Sequence, residues 1–505
     1  MGLHHLTLAD IFRRNAQLFP NRTVIVCGSE RISHRDYLER AERLAAGLAA
    51  QGVKPGDRVA VAARNCPEFA DLYGATALIG AIMLPVNWRL NAEEMAYVLA
   101  DGAPTLVIVG PEDQPTIASV QEKLPASAKY FGIGSAAAPF RPFAELMSAG
   151  AMPPPVDVDP DRGYVIIHTA AVDGRARGAL ISQTGLIAGS VQLVSAWQLD
   201  ERDVALVAVP LFHVTGIGQM LTAQLSGGSS VIMAKFDAAE CARTIEAEKA
   251  TAFAEFAPML MNLLDKAAET GTSLSGLRAV FGLDTAETIA RFEKTCPEAR
   301  FWAAYGQSET SGPVTLSRWR ERPGTAGRPT PLSVVAVVDE SDQPVATGQV
   351  GEIVVRGPIV FCGYWRREED SKVTFRNGWH HTGDMGRFDA EGYLFYSGRS
   401  PAKELIKPGG ENVYPAEVEK VIREHAAIAE ASVIGVPDPQ WGEAVKAVCV
   451  CRPGESVVAS DLAEFVASKI ARYKKPKHVV FVDALPKTAA GAIDRAAVKQ
   501  AHGGM

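Results

Sequence analysis

The sequence predicts an α/β chain that ends in a smaller α+β part, and three observations carry this. Short β-branched runs, Thr23–Cys27, Arg58–Ala62 and Thr105–Val109, alternate with alanine-rich segments at helical spacing. Alternation of that kind winds a sheet with helices on its faces. The stretch from Asn377 to Pro415 instead alternates apolar and polar residues about the turn Asp389-Ala390-Glu391-Gly392, which predicts a β-hairpin. Gly351–Gly357 reads as a further strand of the same β-rich subdomain. Beyond Pro415 the order is helix Pro415–Arg423, strands Ala431–Val436 and Ala444–Val450, helix Leu462–Ile470 and strand His478–Val482, an α+β arrangement.

At 505 residues the chain exceeds one ordinary domain and can bury a large core. Its composition is that of a globular protein, 47% hydrophobic and 22% charged. A net charge of -7 argues against general nucleic-acid binding, so a polyanionic ligand must meet local positive groups. The seven cysteines form no CxxC pair, which suits reduced thiols in a reducing compartment. Cys449 and Cys451 alternate on a strand as small core residues. No stretch reaches the roughly 18 apolar residues of a membrane span. The N-terminal residues lack an apolar run with a cleavage site, and the expected compartment is the cytoplasm.

Taken in order, residues 7–20 predict an amphipathic helix capped by Thr7 and Asp10. Pro85–Leu90 reads as a structural segment. Gly132-Ile133-Gly134-Ser135-Ala136-Ala137 fits GxGxx[GA], but Pro139 interrupts any helix that would follow, so a nicotinamide site is not expected. Pro153-Pro154-Pro155 reads as a surface linker. Tyr164–Thr169 is an apolar strand entering a loop that contains Gly174, Arg177 and Gly178, with a helix resuming near Thr184. That is where an α/β protein cradles phosphate; the other reading is a surface loop. Val204–Val209 and Ser230–Met233 read as buried strands, and His213 stands at an aromatic corner after the first. Lys469, Arg472, Lys474, Lys475 and Lys477 form a basic cluster, either a site for CoA phosphates or a solvated face.

Two groups inside the hairpin bear chemistry. Asp384 can accept two hydrogen bonds from a vicinal diol, and Arg399 can donate to ribose or phosphate oxygens. The motif order is Thr382-Gly383-Asp384, Gly392-Tyr393-Leu394, Gly398-Arg399, Lys403–Lys407, then Gly409-Gly410-Glu411-Asn412-Val413-Tyr414-Pro415. With Tyr305-Gly306-Gln307-Ser308-Glu309-Thr310 upstream, it resembles the adenylate-forming superfamily of acyl-CoA synthetases, peptide synthetase adenylation domains and luciferases. The resemblance implies an AMP-binding domain over residues 1–400 and a mobile lid over 401–505.

It also implies roles. Asp384 and Arg399 hold the ATP ribose, Tyr305 offers a face for adenine, Ser308 bonds phosphate, and Gly306 lets the backbone approach the acyl group. Glu309 ligates Mg²⁺. Thr169, Gly174, Arg177 and Gly178 belong to the ATP loop, and His213 borders the carboxylate. Lys407 and Asn412 face AMP during adenylation, and Gly409-Gly410 lines the pantetheine tunnel during thioester formation. Phe253–Met259 and Gly282-Leu283-Asp284 border the acyl and adenine pockets. The expected activity is an AMP-forming acyl-CoA synthetase using ATP, Mg²⁺ and CoA, with Lys407, Glu309 and His213 catalytic. CoA is favoured over a carrier protein because no carrier or condensation domain accompanies the chain. Aliphatic and aromatic acids are both open, and a homodimer is compatible with this reading.

The chain departs from the family pattern in three places. Ala170, Ala171, Val172 and Asp173 replace most hydroxyl and glycine positions of the ATP loop, where Arg177 stands for the usual Lys. Two extra residues precede Lys403. Ala492 occupies the place of the C-terminal Lys that grips carboxylate and α-phosphate, and Ala490 offers no substitute, whereas Lys487 matches a structural Lys. The alternative reading is therefore a natural or engineered relative that binds nucleotide or acyl ligand without efficient adenylation.

Overall fold

A computed structural model describes residues 4–124, 127–148, 156–169, 176–400, 405–488 and 493–504. The first helix, Leu8–Leu18, begins at a reciprocal cap. The Thr7 hydroxyl accepts from the Asp10 N–H, and the Asp10 carboxylate accepts from the Thr7 N–H at 2.9 Å, which satisfies donors that a helix start leaves unpaired. Ser33 with Asp36 and Asn91 with Glu94 start the helices His34–Ala50 and Ala92–Gly102 in the same way.

Two large sheets form the body. One has seven strands in the order Arg141–Pro142, Lys129–Gly132, Leu106–Val109, Arg58–Ala62, Ile82–Pro85, Gly163–Thr169, Arg177–Ser182. The other has nine, with a parallel centre of Ala279–Leu283, Ala252–Phe256, Val204–Val207, Ser229–Ile232 and Thr23–Cys27. Tyr37, Phe69, Tyr73 and Met220, on helices, share one core with Ile25 and Val207 of the nine-stranded sheet and Val59 and Ile108 of the other. The helix Pro67–Ile79 is buried at every residue but Glu68, as expected of a helix enclosed on all sides. Each large apolar side chain hidden there contributes about 1.5–3 kcal/mol. Its buried acid, Asp71, is paired with Arg40 at 2.6 Å, because a buried charge without a partner is strongly unfavourable.

The β-rich subdomain is a five-stranded sheet. Its strands Trp379–Phe388 and Leu394–Arg399 form the expected hairpin, whose register sets Asp384 directly opposite Arg399. The C-terminal part has a three-stranded sheet, Ile428–Asp438, Gly442–Cys451 and His478–Phe481. Helices Pro415–Arg423 and Ala459–Lys469 close its core through Val418, Ile422, Leu462 and Val466. Cys449 is in that core and Cys451 is half-buried at its edge.

One expectation changes. Strand Gly163–Thr169 does not lead directly to a helix: Arg177–Ser182 returns antiparallel to it, and the helix Gln183–Trp197 starts only after that strand. Burial of Gly178, Ala179 and Ile181 against the sheet draws this segment into a ladder. Residues 135–140, after the GxGxx[GA] match, form no helix. Pro153-Pro154-Pro155, Gly174, the four residues before Leu405, Ala490 and Ala492 lie outside the described residues. Among the described residues no helix is long and apolar enough to cross a membrane.

Candidate active site

A cleft of about 240 Å³ lies between the β-rich hairpin, the ends of the nine-stranded sheet and the C-terminal part. At its polar end stands Asp384. The Tyr305 hydroxyl donates to its Oδ2 at 2.7 Å, Gln307 Nε2 donates to the same oxygen, and Arg399 Nε lies 3.5 Å from Oδ1. Oδ1 itself is buried and accepts no hydrogen bond. One carboxylate oxygen is thus held by two donors, and the other, without a hydrogen bond, has the Arg399 guanidinium beside it. Arg399 is steadied by donating to the Leu405 carbonyl.

Glu309 follows from the end of strand Arg300–Gln307, in the single turn Ser308–Thr310. Its Oε1 accepts from the Tyr364 hydroxyl at 3.0 Å and lies 3.4 Å from Thr169 Oγ1. Burial, and then the Glu309 charge, push the Tyr364 phenol well above its ordinary range, so it stays a donor. A carboxylate and a hydroxyl side by side on the cleft wall are hard oxygen donors suited to Mg²⁺.

The C-terminal part contributes Lys407, Gly409, Gly410, Glu411 and Asn412 to the same cleft. Gly409 and Gly410 adopt φ of +58° and +84°. A Cβ on Gly409 would lie 2.7 Å from the Trp441 ring, and one on Gly410 would lie 3.1 Å from Phe256. Conformation and space both require glycine at this turn. Glu411 pins the turn to the large domain: His213 Nε2 is 3.2 Å from its carboxylate, Asn87 Nδ2 donates to it at 3.2 Å, and the Arg89 guanidinium pairs with it. Burial alone would raise the Glu411 pKa, but His213 and Arg89 hold it down at about 2. His213 is free for this contact because it starts the helix Val214–Ser226 without a side-chain cap bond.

Thr169, His213, Gly306, Ser308, Glu309, Asp384, Arg399, Lys407, Gly409, Gly410 and Asn412 thus line one cleft. Tyr305, Arg177 and Gly178 do not. The Tyr305 ring packs against Tyr396 with centroids 6.0 Å apart and reaches the site through its hydroxyl. Arg177 lies over the Tyr364 ring at 4.3 Å and 3.6 Å from Asp370, behind Glu309. Gly178 sits in the hairpin ladder, where a Cβ would strike Ile166. The basic cluster is largely consumed by ion pairs. Lys474 is buried between Glu417 and Glu94 at 2.7 and 2.5 Å, Arg472 and Lys475 pair with Glu464, and Lys477 pairs with Asp438. Glu94 and Asn91, the latter donating to the Lys469 carbonyl, make this a second contact with the large domain. Glu411 and Arg89 were missed as site residues; the acid within Gly-Gly-Glu-Asn and the cation within Pro85–Leu90 were the available signals.

The far end of the cleft is lined by helices Gln183–Trp197 and Val214–Ser226 and by the central strands. Of the segments expected there, Ala254, Phe256, Met259, Gly282 and Leu283 face the cleft. Phe253 joins the core on the other side of its strand, by the period-2 alternation of strand side chains.

Residues 12–365 match the family model for the AMP-binding enzyme, and residues 417–492 match that for the AMP-binding enzyme C-terminal domain. The chain belongs to the AMP-binding enzyme family. It is 33% identical over 497 residues to a feruloyl-CoA synthase of Amycolatopsis sp, covering 97% of this chain and 98% of that protein. It is 34% identical over 506 residues to an indoleacetate–CoA ligase of Aromatoleum aromaticum, covering 98% of each. Among solved structures, a putative long-chain-fatty-acid CoA ligase from Rhodopseudomonas palustris is 57% identical, covering 79% of this chain and 100% of that chain with a TM-score of 0.76. Within the AMP-binding enzymes these are acyl-CoA ligases of the AMP-forming class, whose cosubstrates are ATP and CoA and whose metal is Mg²⁺.

Proposed function

We propose that the chain is an AMP-forming carboxylic acid–CoA ligase. The carboxylate oxygen attacks the α-phosphorus of ATP and pyrophosphate leaves. The CoA thiolate then attacks the acyl carbon of the adenylate and AMP leaves. The observation that carries this reading is the convergence of a half-filled Asp384, Arg399 and Glu309 with the Gly409-Gly410 turn in one cleft. In this role Asp384 Oδ1 accepts from the ribose and Arg399 donates to it. Glu309, with the Thr169 hydroxyl beside it, would hold Mg²⁺, which would supply charge neutralisation at the triphosphate. The Gly409-Gly410 turn, pinned through Glu411, leaves backbone without side chains where pantetheine would pass. This docking suits thioester formation. Positioning and fixed charges supply most of the catalysis.

A second element of the proposal concerns adenylation. Ala492 supplies neither charge nor donor where a Lys ammonium would bridge carboxylate and α-phosphate. Donors placed at developing charge contribute roughly 10²–10³ in rate. Adenylation by this chain is therefore slow and thioester formation from a supplied adenylate is not. Acid-dependent exchange of labelled pyrophosphate into ATP tests the first statement together with the ligase reading. Exchange is expected with the native chain, and Ala492→Lys should raise it by about tenfold or more. Ala490→Lys is the control for register. Absence of acid-dependent exchange in all three proteins rejects the ligase. Brisk exchange by the native chain without gain in either variant rejects the role given to Ala492.

A further inference from the structure

The far end of the cleft holds polar atoms with nothing to bond. Gln219 is 3% exposed and neither its Oε1 nor its Nε2 has a partner. Ser190 Oγ, Ser311 Oγ and Trp197 Nε1 are equally unpaired, on residues no more than 5% exposed. All four residues line the cleft. Buried side-chain polar groups in folded proteins are nearly always paired. The neighbours show that this region can satisfy them. Gln192, also buried, accepts from the Leu332 N–H at 2.9 Å and lies 3.4 Å from the Pro313 carbonyl, and the Thr222 hydroxyl donates to the Gly218 carbonyl at 2.7 Å. Gln224 on the same helix and Glu255 on the adjoining strand are also unpaired but lie outside this cleft, whereas Gln219, Ser190, Ser311 and Trp197 line it.

Shape adds a second constraint. Trp197 and Phe281 stand 5.9 Å apart between ring centroids, inclined at 49°, and give this end flat apolar walls. A Cβ on Gly218 would meet nothing within 4 Å, so the helix wall beside Gln219 is open. Gln219 lies six residues beyond His213 on the helix Val214–Ser226, about 9 Å along its axis. A ring on a two-carbon linker spans that distance from a carboxylate held near His213.

We propose that this end of the cleft binds an aromatic carboxylic acid carrying a hydroxyl or ring N–H at the end remote from its carboxylate, with the Gln219 amide as the principal partner. The proposal rests on the ligase reading for the position of the carboxylate. Gln219 offers both an acceptor and a donor, so it receives a substituent's proton and returns a hydrogen bond to its oxygen. Ser190, Ser311 and the Trp197 N–H complete the shell. A straight alkyl chain would leave all of these groups unpaired against methylenes, and sites built for hydrogen bonds reject ligands that lack them. The acid class is thus hydroxyaryl or N–H-heteroaryl, not a long-chain fatty acid.

The test is calorimetric binding of 4-hydroxycinnamate, cinnamate and decanoate to the full chain in the presence of AMP, with pyrophosphate and thioester formation measured in parallel. The hydroxyaryl acid is expected to bind about tenfold or more tightly than cinnamate, a difference of about 1.4 kcal/mol, and more tightly than decanoate. Gln219→Leu should abolish most of that preference while altering cinnamate affinity much less, with Gln219→Met as the second variant should the first disturb the helix. Equal binding of the two aryl acids, tighter binding of decanoate, no binding of any acid, or a preference that survives in both Gln219 variants overturns the proposal. Binding in the expected order with no pyrophosphate or thioester formed refutes the ligase reading and leaves the pocket assignment standing. Turnover of decanoate in preference to the aryl acids does the reverse.

Discussion

At the hairpin end of the cleft, Asp384 already holds two donors on one oxygen and has Arg399 beside the other. At the helical end, Gln219 holds none on either amide atom. The first is a group fixed before its ligand arrives, and the second is one whose partners must come with the ligand. On the proposed function, the difference follows from what each end would recognise. ATP and its ribose are common to the whole reaction class, so the groups that meet them recur as local motifs on a hairpin and a turn. The acid differs from one enzyme to the next, so the groups that meet it are single side chains on helix faces, with no motif around them.

Substitutions at the two ends separate these plans. The largest effect is expected from Asp384→Ala. It removes charge-assisted hydrogen bonds worth about 1.5–3 kcal/mol each, so calorimetry should show nucleotide affinity falling by roughly a hundredfold while acid affinity changes little. If both ligands weaken together, the two ends are not independent. Gly409→Val comes next. Its Cβ would meet Trp441 in a backbone conformation at φ +58°, a strain of about 1–3 kcal/mol. Rapid-quench kinetics should show thioester formation slowed by about tenfold and adenylation nearly intact; equal losses would mean general disruption instead.

Glu411→Gln should act more weakly, reducing thioester formation a few-fold by loosening the contact with His213 and Arg89. The sign of its pH dependence is fixed by a pKa held at about 2, below the ordinary 4.5. The contribution of Glu411 is fully present above 4.5 and is lost as pH falls toward 2. Energy transfer between dyes on the two domains should report that weakening in the native chain, and the variant should lack this part of the acid response. The smallest effect is expected from Gly218→Ala. The methyl enters open space and replaces a helical glycine, so thermal unfolding should show stability rising by up to about 1 kcal/mol. Affinity should fall only for the bulkiest acids. A loss of stability would show the helix wall to be closed at that point.

The hairpin was legible because a period-2 pattern broken by an acidic turn with glycine admits few other folds, and its register then placed Asp384 against Arg399. The cap at Thr7 and Asp10 was legible for the same local reason. The strand Arg177–Ser182 was not, because six residues with a glycine near the start carry little pattern of their own; pairing with Gly163–Thr169 decides their state. Glu411 and Arg89 lie 322 residues apart and meet only when the domains dock. Lys474 looked like one cation in a surface cluster, and only Glu94 and Glu417 around it explain its burial. Gln219 gave no signal at all, since one amide on a helix face means nothing until its neighbours are known to be elsewhere engaged.

The central claim is that this cleft is a ligase site docked for transfer to CoA, and it is tested most directly without ATP. Synthetic 4-hydroxycinnamoyl-adenylate is mixed with CoA and the full chain, and the products are followed by chromatography. The account predicts acyl-CoA and AMP in equal amounts, formed faster than acyl-CoA forms from the free acid with MgATP. Hydrolysis to acid and AMP with no acyl-CoA, while the adenylate is bound in the cleft, would contradict it.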